Sequence, residues 1–442
     1  MLSIEQLMAT VTSSQSPAAN VLTALGALVG VHVLLRFLTT SKKKKAHFVY
    51  PTSSLPFLGS VLDMAIYHRE RLYDWITDES VAADGKPWIQ AVPGVPPNVM
   101  ICTPELFEDV LKTQFDKFER GDMDYFQDLF GKAILASTGD DWVFHRKTAS
   151  HLFSNQMMKD AMYAAVREKV ETLCKALRIY ESRDEPVNFK SVIMHCTTDM
   201  FGKIGFGNGL TGTKGNKFVE AFATSTQTIF FRFLQPKYLN IGTERAYKSR
   251  EVIDKFIFRV INESIAKKKE LSASSLLGEA PVPPKDLISL FLNTTIKDEE
   301  NVKGTAFDSE MHLVRDTAVS FIFAGKDTTS HSMSYFVVMM NRYPEVLKKI
   351  RAEFRRNLPR SPSGELQVPT LDDLPQLTYL EAAIRENLRL NPAAPLIGRH
   401  ALEDLMLCDD TFFGKGISRQ SANLRRSPDE VGLGRRRACV QA

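Results

Sequence analysis

The sequence predicts a mainly α-helical protein, one large helical domain with a small β region behind an apolar N-terminal segment. Three observations carry this. Residues 18–38 are mostly apolar and are followed at once by Lys42, Lys43, Lys44 and Lys45. Most of the chain beyond them spaces its apolar residues with a helical period. Short stretches near the start, such as WIQAVPG and PNVMICTP, read as strands of one small sheet.

The N-terminal stretch PAANVLTALGALVGVHVLLRFL is long enough to cross a bilayer at about 1.5 Å per residue. Arg36 lies near its end, where a long side chain can snorkel to the interface. Lys42 to Lys45 then place the rest of the chain on the cytoplasmic side by the positive-inside rule. A cleaved signal peptide and a soluble buried helix are the competing readings. The first lacks the basic start it needs, because Glu5 precedes any Lys or Arg. The expectation is a single-pass anchor over residues 1–45. Pro51 and Pro56 then make a stiff turn that holds the body off the membrane.

The body follows as residues 46–416. ELFEDVLKTQF, VREKVETLCKAL and REVIDKFIFRVINESIAKKK carry helical spacing. Residues 267–285 hold Pro281, Pro283 and Pro284 and read as an exposed loop, with DLISLFLNT a helix after it. A long helix without proline is expected from Glu310 to about Asn341. It is apolar on most sides, as suits a helix crossing the centre of a domain.

Composition excludes several functions. A net charge of +4, evenly spread, gives no footprint for nucleic acid. Cys102, Cys174, Cys196, Cys408 and Cys439 form no C-x-x-C pair and no zinc spacing, so no structural zinc site is expected. An odd, dispersed set reads as reduced thiols facing the cytosol. The 28 Phe suit an apolar interior or pocket, and core is the simpler reading.

Two segments carry chemistry. Ala324-Gly325-Lys326-Asp327-Thr328-Thr329 lies inside the long helix. Glycine there costs about 1 kcal/mol against alanine, and threonine can bond back to the backbone and loosen the helix. The bland reading is a kink with a satisfied aspartate. The functional one is a place where a small ligand touches the backbone while Asp327 and Thr328 pass it protons through water. The second segment, Tyr379 to Pro392, sets Glu386 and Arg389 at i, i+3 on one helix face. Alone that is a common surface pair. The helix should end before Pro392.

Together these segments resemble the cytochrome P450 family, the first its oxygen-binding helix and the second its E-x-x-R helix. Trp142-Val143-Phe144-His145-Arg146 is similar to the family's W-x-x-x-R pattern. The resemblance implies that Trp142 and Arg146 hold a haem propionate, with Arg399 in PLIGRHALED a further propionate ligand. Arginine suits this by gripping a carboxylate with two donors. It also implies roles at the cofactor for Ala324 and Gly325, Gly325 letting dioxygen lie close to the helix backbone. Asp327 and Thr328 would be catalytic, and Glu386 and Arg389 structural. ERLYDW, LKTQFDKFERG, DLFGKAILASTGDDWVFHRKTASHLFS and AGKDTT resemble the fatty-acid ω-hydroxylase branch. The implied protein is a haem-thiolate monooxygenase of the endoplasmic reticulum membrane, its catalytic domain facing the cytosol. It would take electrons from an NADPH-cytochrome reductase and hydroxylate a fatty acid or other long-chain lipid with O2.

The tail departs from this pattern. The family's ligand loop is F-x-x-G-x-R-x-C-x-G. Aligned on Cys439, the Phe position holds Gly432, the first Gly position Arg435 and the last Gln441, so only Arg437 and Cys439 agree. Composition also changes after Gly414–Gly416, with no aromatic residue over 417–442. The expectation is an incomplete P450 fold with an aberrant tail, consistent with a shifted reading frame, in which Cys439 is not a metal ligand. Haem binding by the chain as written is therefore in doubt. The competing reading is a haem-free, membrane-anchored binding or regulatory remnant.

Overall fold

The computed structural model describes residues 48–93, 97–120, 124–152, 162–207, 210, 213–233, 242–275, 288, 305–360, 364, 367–415 and 418–422. The expected anchor (residues 1–45), the DLISLFLNT helix apart from Ile288, and Cys439 lie outside them. Among the described residues no helix is long and apolar enough to cross a membrane.

Helix α1 (Leu72–Ala82) and α2 (Pro104–Glu108) flank the first strands, β1 (Trp88–Gln90) and β2 (Asn98–Ile101). These strands are the two stretches read as β-like in the sequence. Thr103 caps α2 by accepting the Leu106 amide, with Pro104 at the first helical position. The expected ELFEDVLKTQF helix is then broken into a π-turn at Asp109–Thr113. The buried Asp109 carboxylate accepts Gln114 Nε2 at 3.0 Å and the Cys408 amide at 3.0 Å. That ties this corner to the distant hairpin of β5 (Leu405–Met406) and β6 (Phe412–Phe413).

The helical layer contains α3 (Asp124–Phe130), α4 (Gly139–Leu152), α5 (Tyr163–Ser182), α6 (Phe189–Phe206), α7 (Thr213–Phe233), α8 (Thr243–Ser275), α9 (Thr305–Arg342), α10 (Pro344–Asn357) and α11 (Thr378–Leu390). Helix α8 continues nine residues into the stretch read as a loop, to Ser275. Its last turns have no proline, and the three prolines of that stretch come after Ser275. Helix α6 starts on Asn188, whose side chain accepts the Ser191 amide at 3.1 Å. It stops on Gly207 at φ 72°, the left-handed end that glycine allows.

Helix α9 runs through the middle. Val314, Ala318, Ile322, Lys326 and Ser330 form its buried stripe at four-residue steps, and Met200, Ile204, Phe218, Phe222 and Ile257 belong to the same core. The pairing of α9 with α6 is the most extensive in the molecule. Helix α11 ends at Leu390, before Pro392, as expected.

The main sheet has strand order β1-β2-β7-β4-β3, with β3 (Phe118–Glu119), β4 (Leu396–Ala401) and β7 (Ser418–Ala422). Strand β7 pairs parallel with β2 and antiparallel with β4. Regular structure thus extends past Gly416, into the segment read as an aberrant tail. Backbone hydrogen bonding to two neighbours places this strand, and it needs no apolar pattern of its own. Trp75 and Trp88 meet edge-on at 5.8 Å below the sheet, and Trp88 Nε1 donates to Ser80 Oγ at 2.9 Å.

Candidate active site

One face of α9 is left open. Ala324 and Thr328 are exposed one turn apart, while Lys326 and Ser330 behind them are buried. The Thr328 hydroxyl donates to the Ala324 carbonyl at 2.7 Å, and the Ser332 hydroxyl donates to the Thr328 carbonyl at 2.9 Å. These back-bonds serve carbonyls around the exposed turn. With its own hydrogen committed to Ala324, Thr328 Oγ1 turns its lone pairs outward as acceptors.

Gly325 also stands in close approach to α6. A methyl built on it would lie closer than 3.0 Å to ring carbons of Phe201 on α6. The space beside its Cα is filled by that ring, so Gly325 lets two helices approach. Asp327, the other predicted relay residue, pairs with Lys326.

The anion site is set by strand register. Phe118 faces Ala401 and Glu119 faces His400 across β3 and β4. Continued by one residue, that register brings Arg120 opposite Arg399. Each guanidinium has its pKa lowered, first by burial, and Arg399 also by the charge of Arg120. Like charges directly opposite one another are unfavourable. Arg120 Nη1 is fixed by the carbonyls of Ile134 and Leu135 at 3.1 Å each, and Arg399 Nη1 donates to the Gly398 carbonyl at 2.8 Å. None of these neutral partners offsets the paired charge, so the two arginines form a ledge suited to a carboxylate-bearing ligand. Arg120 was missed in the sequence, where it is one more cation in FERG.

Trp142 and Arg146 both lie on α4, Trp142 half-buried and Arg146 exposed. No contact joins them to Arg399 among the bonds described. Between them His145 is held against the body. Burial lowers its pKa, opposed by the charges of Asp141 and Asp316 and by a hydrogen bond to the Lys132 backbone. The same turn receives Asp316 from α9, whose carboxylate accepts the Lys132 amide at 3.0 Å.

Glu386 and Arg389 make the expected pair, with bonds of 2.7 and 2.6 Å. Asn387 between them donates to the Ser332 carbonyl at 3.1 Å, docking α11 on α9 one turn after Thr328.

Haem is the group whose fit matters. The paired arginines would suit its carboxylates, and the open turn at Ala324 and Thr328 would leave a hydroxyl beside a small polar ligand. The described cysteines are placed in other elements. Cys102 is buried in the Trp75–Trp88 cluster, Cys174 and Cys196 lie on α5 and α6, and Cys408 lies between β5 and β6. No cluster of three or more metal-ligating side chains occurs among the described residues.

The described body thus holds a long buried helix with an acid–alcohol pair at an open turn, an E-x-x-R helix docked on it, and two arginines opposite one another across β3 and β4. The profile described as Cytochrome P450 matches residues 50–418, and the chain belongs to that family. It is 30% identical over 388 residues to Cytochrome P450 86B1 of Arabidopsis thaliana, covering 82% of this chain and 66% of that protein. It is 29% identical to Cytochrome P450 94B1 of the same plant, covering 88% of this chain and 74% of that protein. With Cytochrome P450 94A1 of Vicia sativa the identity is 28%, over 72% of this chain and 60% of that protein. The chain thus spans just under two thirds of the length of the first of these relatives.

Proposed function

We propose that the protein is a haem-dependent monooxygenase that hydroxylates fatty-acyl chains at or near the ω end. The observation that carries the reading is the open turn of α9, with an acid and an alcohol beside it, in a chain of the cytochrome P450 family. Haem, when bound, supplies the oxygen chemistry. Arg120 and Arg399 would neutralise its carboxylates, and Trp142 and Arg146 would assist from α4. Thr328 Oγ1 accepts a hydrogen bond from a water at the open turn, and Asp327 exchanges protons with that water. The terminal methyl has stronger C–H bonds than the methylenes, so selectivity requires a narrow apolar path that presents the chain end first. Electrons would come from an NADPH-cytochrome reductase.

Membrane attachment belongs to the same reading. Tyr50, Leu55, Phe57, Leu58, Ile66 and Tyr67 are all exposed at the start of the body, directly after the lysines. They supply an apolar surface next to the expected anchor. The proposed site is the endoplasmic reticulum membrane, with the body in the cytosol.

A haem-free remnant is the second reading, favoured by the residues around Cys439 (Gly432, Arg435 and Gln441), which depart from the ligand loop. The experiment joins a family cysteine loop in frame after Gly416 and measures hydroxylated fatty acid per NADPH with a reductase. Product at the chain end is expected, and Thr328→Ala should divert electrons to peroxide while haem content holds. A haem-loaded protein that leaves fatty acids untouched would sink the substrate reading.

A further inference from the structure

Lys326 occupies the middle of the buried stripe of α9. The residue is 7% exposed, whereas the side chain of its neighbour Asp327 is 40% exposed. Lysine is rarely buried this far, because its ammonium carries three donors that all need partners. Here Nζ pairs with Asp327 Oδ1 and lies 3.6 Å from Met194 Sδ on α6. It sits 6.0 Å from the centroid of the Phe222 ring on α7. A thioether is a weak acceptor and a ring face at that distance adds little. The Asp327 carboxylate is therefore the principal compensation for the buried charge.

Phe222 covering this ammonium is 1% exposed, and it packs at 5.7 Å on Phe218, which in turn meets Phe256 of α8 at 4.6 Å. The cover is thus built into the α7–α8 pairing. Successive side chains on a helix point about 100° apart. Asp327 can reach the Thr328 side or the Lys326 side, and in this structure it is drawn to Lys326. A methionine would fill the same buried space without the desolvation cost of a charge. Packing alone does not account for a lysine here.

We propose that Lys326 is a positioning residue. It holds the Asp327 carboxylate against the α6–α7 layer, away from the Thr328 face. The use of that acid rests on the monooxygenase reading. The tether itself is a property of the folded chain and needs no haem.

The test is carboxyl labelling of the full 442-residue chain with a carbodiimide and glycine ethyl ester, mapped by peptide mass spectrometry, with exposed Asp140 as internal reference. Asp327 should label slowly in the parent chain and several-fold faster in Lys326→Met. Lys326→Arg should restore protection, which a merely space-filling role would not require. If Lys326→Met fails to fold, Lys326→Gln is read in the same way. Equal labelling of Asp327 with and without the lysine overturns the proposal. If labelling follows these expectations while the loop-restored enzyme makes no product, the monooxygenase reading falls and the tether stands.

Discussion

Replacing Gly325 with alanine tests how tightly α9 is held. The added methyl would lie closer than 3.0 Å to three ring carbons of Phe201, at the most extensive helix pairing of the molecule. Overpacking of this kind costs about 1–3 kcal/mol. Alanine returns about 1 kcal/mol by its better helix propensity. The net expectation is a loss of roughly 1 kcal/mol, since Phe201 is half-buried and its ring can yield in part. The sign should reverse in a Phe201→Ala background. With no ring to meet, only the propensity gain remains, and Gly325→Ala should stabilise by about 1 kcal/mol. Urea midpoints of the four chains, read by circular dichroism, give the cycle. The same sign in both backgrounds would refute the close approach as the reason for glycine at this position.

Three further predictions follow from single contacts. Buried Glu353 of α10 accepts the amides of Tyr379 and Leu380 at 2.8 and 3.0 Å, capping α11 from outside. Glu353→Ala should cost about 1–3 kcal/mol and weaken amide-exchange protection first at the start of α11. For His145, burial lowers the folded pKa below its ordinary value. Its contribution to stability is therefore present above about pH 6.5 and is lost as pH falls through the folded value. His145→Gln should show a shallower loss of thermal stability on mild acidification, and an unchanged slope would contradict the burial. Deleting residues 1–45 should move the protein from membrane to supernatant, with residual binding assigned to the exposed strip from Tyr50 to Tyr67. Retention of all the truncated protein in alkaline carbonate would refute a single anchor.

What could be read in the sequence follows from how local each feature is. The turn at Ala324–Thr329 stood out because glycine, an acid and two hydroxyls break the rules of a helix interior. Glu386 and Arg389 were legible as an i, i+3 pair, and β1 and β2 as short β-like runs. Long-range features were not. Arg120 gains meaning only when β3 pairs with β4 and sets it opposite Arg399. Strand β7 lacks an apolar alternation and is placed by its two neighbours. Lys326 reads as a surface cation until α6 and α7 bury it. The close approach of Gly325 to Phe201 was not legible either, being a contact between residues far apart in sequence.

The most direct test of the account is the carbon monoxide difference spectrum of reduced protein, taken on the 442-residue chain and on the chain with a family cysteine loop after Gly416. Thiolate-ligated haem gives a red-shifted Soret band. If Arg120 and Arg399 serve the haem carboxylates and Cys439 is no ligand, the 442-residue chain gives no such band and the loop-bearing chain gives a clear one. A band in the 442-residue chain that disappears with Cys439→Ser would contradict the account, and so would a loop-bearing chain that folds and binds no haem.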